Sequence, residues 1–117
     1  MIEQIKKRDG SIVEFDSSKI TAAIAKAGRA TGELADRDAK KMTLRVLTLA
    51  HELRLGPTPD VEEVQDIVER VLLDSPYYHT AKAYIIYREQ HAQIRRIATE
   101  AQVDLVEHYI RKLDWKI

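Results

Sequence analysis

The chain has 117 residues, with 19 Lys and Arg balanced by 19 Asp and Glu, and it contains no cysteine. This length is typical of one domain that buries its own core without disulfide or metal support. A net charge of zero excludes a global positive field for nucleic acid or an anionic membrane, although a local basic patch stays open. The absence of cysteine excludes disulfides, thiolate catalysis, iron–sulfur clusters and the common structural zinc sites.

No apolar run approaches the ~20 residues of a membrane span, and none resembles a secretory leader. We therefore expect a cytoplasmic protein that has no membrane partner.

Two short apolar segments at the N-terminus predict a β-hairpin over residues 2–7 and 11–15. Asp9-Gly10 between them is a strong turn signal, and the flanking apolar residues alternate at the period of a strand. An isolated hairpin is unstable in water and needs an apolar surface to pack on. We therefore expect Ile5 and Phe15 to anchor the hairpin on helices.

The next two segments predict helices with identifiable ends. Asp16 and the serines after it offer N-caps for the first helix, which is expected to end near Gly28 to Gly32. Asp36 is expected to cap the second helix. Gly56-Pro57 is expected to stop it.

Two further helices complete the predicted bundle. Asp60 and Glu63 form a capping-box pattern at the start of the third helix. Ser75-Pro76 places an N-cap before proline, so the fourth helix is predicted from residue 76 or 77 to Ile97. An amphipathic segment after residue 102 predicts an extra C-terminal helix. The expected fold is mainly α (α+β), a small N-terminal hairpin capping a four-helix bundle.

Cations are concentrated where the hairpin turn meets the first helix. Lys7 and Arg8 lie at the turn, and Lys19 lies in the first helical turn. A helix N-terminus beside such side chains is suited to phosphate. The alternative is an ordinary solvated basic surface. The chain has no Walker-type glycine loop, so we expect binding without chemistry on a γ-phosphate.

Three blocks of sequence stand in a characteristic order within residues 3–92. They are Ile5–Gly10 with Phe15-Asp16 and Lys19-Ile20, then Val61–Val68, then Tyr78 with Ala81–Arg88. Together these blocks resemble the ATP-cone, the regulatory nucleotide-binding domain at the N-terminus of many ribonucleotide reductases. The tail is more weakly similar to the connection into the catalytic barrel of the anaerobic, glycyl-radical class. That weaker similarity is carried by Val106-Glu107, Tyr109 and Leu113–Lys116.

The resemblance implies a site between the sheet and the helices for ATP or dATP, an allosteric effector pair that signals activity or inhibition. It implies that Ile5 lines the base pocket, that Lys7 and Arg8 meet phosphate or sugar, that Asp16 lies at the pocket edge, and that Lys19 grips phosphate. The further site residues that it implies on the third and fourth helices are Gln65, Lys82, Tyr84, Tyr87, Arg88 and His91.

Partners and domain limits follow from the same resemblance. Mg²⁺ is expected to accompany the nucleotide through phosphate oxygens and water, and neither a catalytic residue nor a protein metal site is predicted. Residues 1–97 are assigned to the cone, and residues 98–117 to a helix or linker toward the catalytic domain of a parent reductase outside this chain. The chain is expected to be non-catalytic, its parent an anaerobic ribonucleoside-triphosphate reductase. A homo-oligomer through the cone helices is expected, whereas nucleic acid is not an expected partner.

Two other functions stay open at this point. One is the cone domain of a nucleotide-sensing transcriptional repressor, which is disfavoured because such repressors place a zinc ribbon before the cone. The other is a helical interaction module in which Lys6, Lys7 and Arg8 are merely basic. The carboxylates of the helices are interpreted as solvated faces, and the histidines lack metal-binding spacing.

Overall fold

A computed structural model describes residues 1–98 as a β-hairpin followed by four helices. The strands are β1 (Gln4–Lys6) and β2 (Ile12–Glu14), and the helices are α1 (Ser17–Thr31), α2 (Asp36–Glu52), α3 (Val61–Leu73) and α4 (Tyr78–Ala98). The predicted mainly helical fold with a small N-terminal hairpin is confirmed. The predicted C-terminal helix and the weaker resemblance of the tail lie outside the described residues.

The hairpin turn is built as its sequence predicts. Gly10 adopts a φ of +88°, a left-handed conformation that glycine reaches without a Cβ clash. One Asp9 carboxylate oxygen accepts hydrogen bonds from the Ser11 backbone N–H at 2.9 Å and from the Ser11 hydroxyl at 2.6 Å. β1 and β2 then pair antiparallel, with Ile5 opposite Val13. Both strands are shorter than predicted.

The other edge of β1 bonds to the segment that precedes α3. The backbone N–H groups of Glu3 and Gln4 both donate to the Pro57 carbonyl, at 2.9 and 3.0 Å. The N–H of Lys6 donates to the Pro59 carbonyl at 2.9 Å, and Lys6 forms a parallel bridge with Asp60. β1 thus bonds to β2 on one edge and to this segment on the other.

The first two helices begin and end by different means. Asp16 caps α1, and Gly32 closes it at a φ of +70°. α2 begins at Asp36 itself, because Ala35 is the N-cap and makes no side-chain capping bond. Asp36 therefore lies in the first turn, where its negative charge interacts favourably with the helix dipole. α2 ends at Glu52, before the predicted Gly56-Pro57 stop.

The last two helices illustrate a local cap and a tertiary one. The capping box at α3 is confirmed: Asp60 accepts the Glu63 N–H at 2.9 Å, and Glu63 accepts the Asp60 N–H at 3.3 Å. α4 begins at Tyr78, later than predicted. Its first turn is capped from the α1–α2 connection, where the Glu33 carboxylate accepts the N–H groups of His79 and Thr80 at 3.1 and 2.8 Å. These bonds outweigh the effect of burial and lower the pKa of Glu33.

In the bundle, α1 and α3 each pack against α2 and α4. Ile24 and Leu72 are fully buried at its centre, and each such side chain contributes roughly 1.5–3 kcal/mol. Ile5 and Phe15 are partly buried and pack on this core, as predicted for the anchors of the hairpin. None of the described helices is long and apolar enough to cross a membrane.

Candidate functional site

A cleft lies between the hairpin and helices α1, α3 and α4. It consists of two cavities of about 210 and 230 Å³ whose walls share Ala23, Gln65 and Tyr84. One cavity, here called the apolar end, lies beneath the hairpin strands. The other, here called the charged end, lies between the hairpin turn and α4. Each site residue predicted from sequence lines at least one of these cavities, except Lys82.

The apolar end is walled by aliphatic and aromatic side chains from both strands, α1 and α3. These are Ile5, Val13, Phe15, Ile20, Val61, Val64 and Val68. Lys7 and Lys19 line the same cavity and are exposed, so ammonium groups from the hairpin and from α1 flank an apolar slot. An apolar slot with few polar groups is typical of a site for a flat organic ring.

Asp16 lines the apolar end and also caps α1. Its Oδ1 accepts the Ser18 N–H at 3.0 Å and the Ser18 hydroxyl at 2.6 Å, and these hydrogen bonds lower the pKa of the carboxyl. The start of α1, which the sequence indicates as a phosphate site, therefore already holds an anion. The cationic side chains rather than this helix N-terminus are the groups suited to phosphate.

At the charged end, Arg88 is the most heavily paired cation. Its side chain is only 15% exposed, and it contacts three α3 carboxylates: Glu62 at 2.6 Å, Asp66 at 2.9 Å and Glu69 at 3.0 Å. Burial opposes the charged form of Arg88, but these hydrogen bonds outweigh it and raise the pKa of the guanidinium. Arg88 therefore stays charged and fixed in position.

Arg8 connects the hairpin turn to α3 at the same place. Its Nε donates to Glu62 Oε1 at 2.9 Å, and its Nη2 donates to Gln65 Oε1 at 3.0 Å. Gln65 lies in the wall shared by both cavities. Its amide oxygen is occupied by Arg8, so its NH₂ group is the part that can donate to a ligand.

Arg95 is a residue of the charged end that the sequence analysis missed. It lines the cavity beside Arg8 and Arg88. Burial, and then the charge of Arg8, lower its pKa, and residues 1–98 give it no ion pair with a carboxylate. The signal was present in the sequence: Arg88, His91 and Arg95 follow each other at i, i+3 and i+7, which places them on one helix face.

Aromatic side chains of α4 form the remaining wall. Tyr84 is buried and lies between the two ends, and burial raises the pKa of its phenol, which stays neutral at physiological pH. Tyr87 and His91 line the charged end, with ring centroids 3.8 Å apart. The three rings give this side of the cleft a rigid surface.

The structure does not bring Lys82 to the cleft. It lines a separate cavity with Thr31 and His79, and that cavity shares no residue with the two described above. The reason is helical phase. Lys82 precedes Tyr84 by two positions on α4, or about 200° around the helix, so only one of them can face the cleft.

Three carboxylates of the helix faces interpreted from sequence as solvated also pair with Arg88. Glu62, Asp66 and Glu69 follow at i, i+4 and i+7 on α3 and so share one side of that helix. Within residues 1–98, no group of three or more His, Asp or Glu side chains is placed to hold a metal ion.

A family profile described as the ATP cone domain matches residues 3–93, which carry the whole apolar end and all of the charged end except Arg95. The chain belongs to the ATP-cone family. Domains of this family are nucleotide-binding regulatory domains of ribonucleotide reductases.

Curated relatives agree with the family. The vitamin B12-dependent ribonucleoside-diphosphate reductase of Thermoplasma acidophilum is 39% identical over 100 residues, 81% of this chain and 13% of that protein. The ribonucleoside-diphosphate reductase subunit alpha of Chlamydia pneumoniae is 38% identical over 98 residues, 78% of this chain and 9% of that protein. The anaerobic ribonucleoside-triphosphate reductase of Salmonella typhimurium is 35% identical over 88 residues, 75% of this chain and 12% of that protein. This cone thus spans about a tenth of the length of these relatives.

Proposed function

We propose that this ATP-cone binds ATP or dATP in the cleft and thereby regulates an attached ribonucleotide reductase. The observation that carries the proposal is the joining of an apolar slot to a cavity lined by three arginines. A nucleoside triphosphate has the same division, with a flat base at one end and a polyanion at the other. The family assignment supports an adenine nucleotide over other ligands of this shape.

The base is proposed to enter the apolar end, with Ile5 and Val64 on its faces and the Gln65 amide as a hydrogen-bond donor to a ring nitrogen. Lys7 and Lys19 would then lie near the ribose and the first phosphate. The outer phosphates would reach Arg88 and Arg95 at the charged end. Arginine suits this role because its planar fork bonds two phosphate oxygens at once.

Mg²⁺ is proposed to bind as a complex with the nucleotide. Within the part of the chain that the structure describes, no group of three or more His, Asp or Glu side chains is placed to hold the ion directly. Phosphate oxygens and water would supply its ligands, as is usual for this cation. The cation would offset part of the triphosphate charge.

Regulation would follow from a difference in affinity. ATP and dATP differ only at the 2′-hydroxyl, and a ligand shifts a conformational equilibrium only by its differential affinity for the two states. We propose that this shift changes contacts of the cone helices, either with a second copy of the cone or with the parent catalytic domain. The anaerobic class of the parent is part of the proposal, and the sequence of the full-length gene tests it.

Titration calorimetry of the 117-residue chain with ATP, dATP and GTP, in the presence of Mg²⁺, tests the site. We expect saturable binding of ATP and dATP and weaker binding of GTP. Lys7→Ala and Lys19→Ala should each weaken ATP binding by roughly 10-fold, about 1.4 kcal/mol, with little change in melting temperature because both side chains are exposed.

Lys6→Ala is the matched control for Lys7→Ala. Lys6 is the adjacent exposed lysine of β1, but its side chain lines neither cavity. ATP affinity should be unchanged in this variant. An absence of binding by both adenine nucleotides would refute the proposed function and favour a helical interaction module.

A further inference from the structure

Glu62 holds two arginines from different parts of the chain with one carboxylate. Its Oε1 accepts from Arg8 Nε of the hairpin turn at 2.9 Å, and its Oε2 accepts from Arg88 Nη2 of α4 at 2.6 Å. Both arginines line the charged end of the cleft. The carboxylate thus occupies the donors that a phosphate group would use.

We propose that Glu62 is a built-in competitor of the nucleotide's phosphate chain. In the empty cone it holds Arg8 and Arg88, and it releases them when a polyphosphate enters the charged end. This inference rests on the proposed function and adds a residue that sets affinity according to the number of phosphates. Carboxylate and phosphate compete because both accept paired hydrogen bonds from the same guanidinium fork.

Differences in exposure indicate which partner leaves. The Glu62 side chain is 49% exposed, so it can turn into water at low cost, as exposed ion pairs do. The Arg88 side chain is 15% exposed and stays held by Asp66 and Glu69. Gln65 likewise keeps its contact with Arg8. Exchange of Glu62 for phosphate therefore leaves both arginines positioned.

Charge gives the exchange its direction. The hydrogen bond from Arg88 and the charge of Arg8 lower the pKa of Glu62, so its carboxylate is ionised at neutral pH. An incoming phosphate is repelled by this carboxylate at short range. A ligand that carries more phosphate charge gains more from the two arginines and overcomes this repulsion more easily. Adenosine, which has no phosphate, does not reach the charged end and does not compete.

The test compares Glu62→Gln with the wild-type chain, using adenosine, ADP and ATP as ligands in calorimetry. Glutamine keeps the shape of the side chain but removes its charge. We expect ATP to bind roughly fivefold more tightly to Glu62→Gln, ADP to gain less, and adenosine to be unchanged. Glu62→Ala, which removes both the charge and the hydrogen bonds, should shift ATP affinity in the same direction.

Glu52→Gln is the matched control, because Glu52 is an exposed carboxylate at the end of α2 and lines neither cavity. Its ATP affinity should equal that of the wild-type chain. Unchanged or weaker ATP binding in a folded Glu62→Gln variant overturns the inference while leaving the proposed function intact. If neither the wild-type chain nor Glu62→Gln binds ATP, the proposed function fails first and the inference fails with it.

Discussion

The two ends of the cleft are prepared for a ligand in opposite ways. The apolar end is a slot of about 210 Å³ whose aliphatic and aromatic walls come from the hairpin, α1 and α3. At the charged end, Glu62 pairs with both Arg8 and Arg88. If the two proposals above hold, shape governs recognition at the first end, and exchange of ion partners governs it at the second.

This difference separates two kinds of variant. Changes at the apolar end should weaken every ligand that carries the base, with or without phosphate. Changes at the charged end should affect nucleotides and leave the nucleoside unaffected.

The largest effect is expected from Ala23→Leu, at the wall that both ends share. A larger side chain there fills the junction of the cavities, so binding of ATP and of adenosine should both fall by roughly 100-fold, about 2.7 kcal/mol. Calorimetry with the two ligands measures this. Ala22→Leu, an exposed neighbour on α1, is the control and should bind normally. Loss of ATP binding alone would show that the base lies elsewhere.

Phe15→Ala tests whether the apolar end depends on the anchored hairpin. Phe15 is partly buried against the core and lines the apolar end, so its truncation should lower the free energy of unfolding by about 2 kcal/mol, below the range for a fully buried Phe. Chemical denaturation measures the change. Ile12→Ala, at a 56% exposed position of the same hairpin, should cost under about 0.5 kcal/mol. Equal losses in both variants would contradict this anchoring.

Arg95→Gln probes the charged end alone. Removing a cation that lacks a carboxylate partner among residues 1–98 should weaken ATP binding by roughly 10-fold, about 1.4 kcal/mol, and leave adenosine binding unchanged. Arg96→Gln is the natural control, because Arg96 is 71% exposed, pairs with Glu89 and does not line the cleft. If both variants bind ATP as the wild-type chain does, Arg95 has no part in phosphate recognition.

The smallest effect concerns the empty cone. The pKa of Glu62 is lowered below its ordinary value of 4.5, so the stability gained from its ion pairs is complete above pH 4.5 and is lost as pH falls through the folded-state pKa. The wild-type chain without nucleotide should exceed Glu62→Gln in stability by under about 1 kcal/mol at pH 7, because the Glu62 side chain is 49% exposed. Thermal melts at neutral and acid pH should show the difference disappear. If the difference in stability persists at acid pH, it comes from side-chain packing and not from the charge of Glu62.

Local sequence patterns predicted the elements that depend on neighbouring residues. The Asp9-Gly10 turn and the capping box of Asp60 and Glu63 are encoded within a few positions, and both formed as predicted. α4 begins later than its Ser-Pro signal indicates: the Ser75 hydroxyl accepts the Tyr77 N–H at 3.2 Å, but the first turn of the helix is capped by Glu33 from a distant connection. A cap supplied by a residue distant in the sequence has no local sequence pattern that predicts it.

The site divides in the same manner. Lys7 and Arg8 were predicted from their place at the turn and from the family resemblance, and both line the cleft. Lys82 was predicted but does not line the cleft, and Arg95 lines the cleft but was not predicted. Helix phase decides which side chains of α4 face the cleft, and the resemblance ended before Arg95. The pairing of Glu62 with Arg8 spans 54 positions and could not be anticipated from either residue's own surroundings.

The segment between α2 and α3 has a mechanical consequence for signalling. Asp60 is at once the bridge partner of Lys6 in β1 and the N-cap of α3, so the edge of the hairpin and the first turn of α3 are tied through a single residue. On the other side of this segment, Arg54 adopts a left-handed φ of 56° just after α2 ends. A displacement of the hairpin edge would therefore act directly on the N-terminal turn of α3.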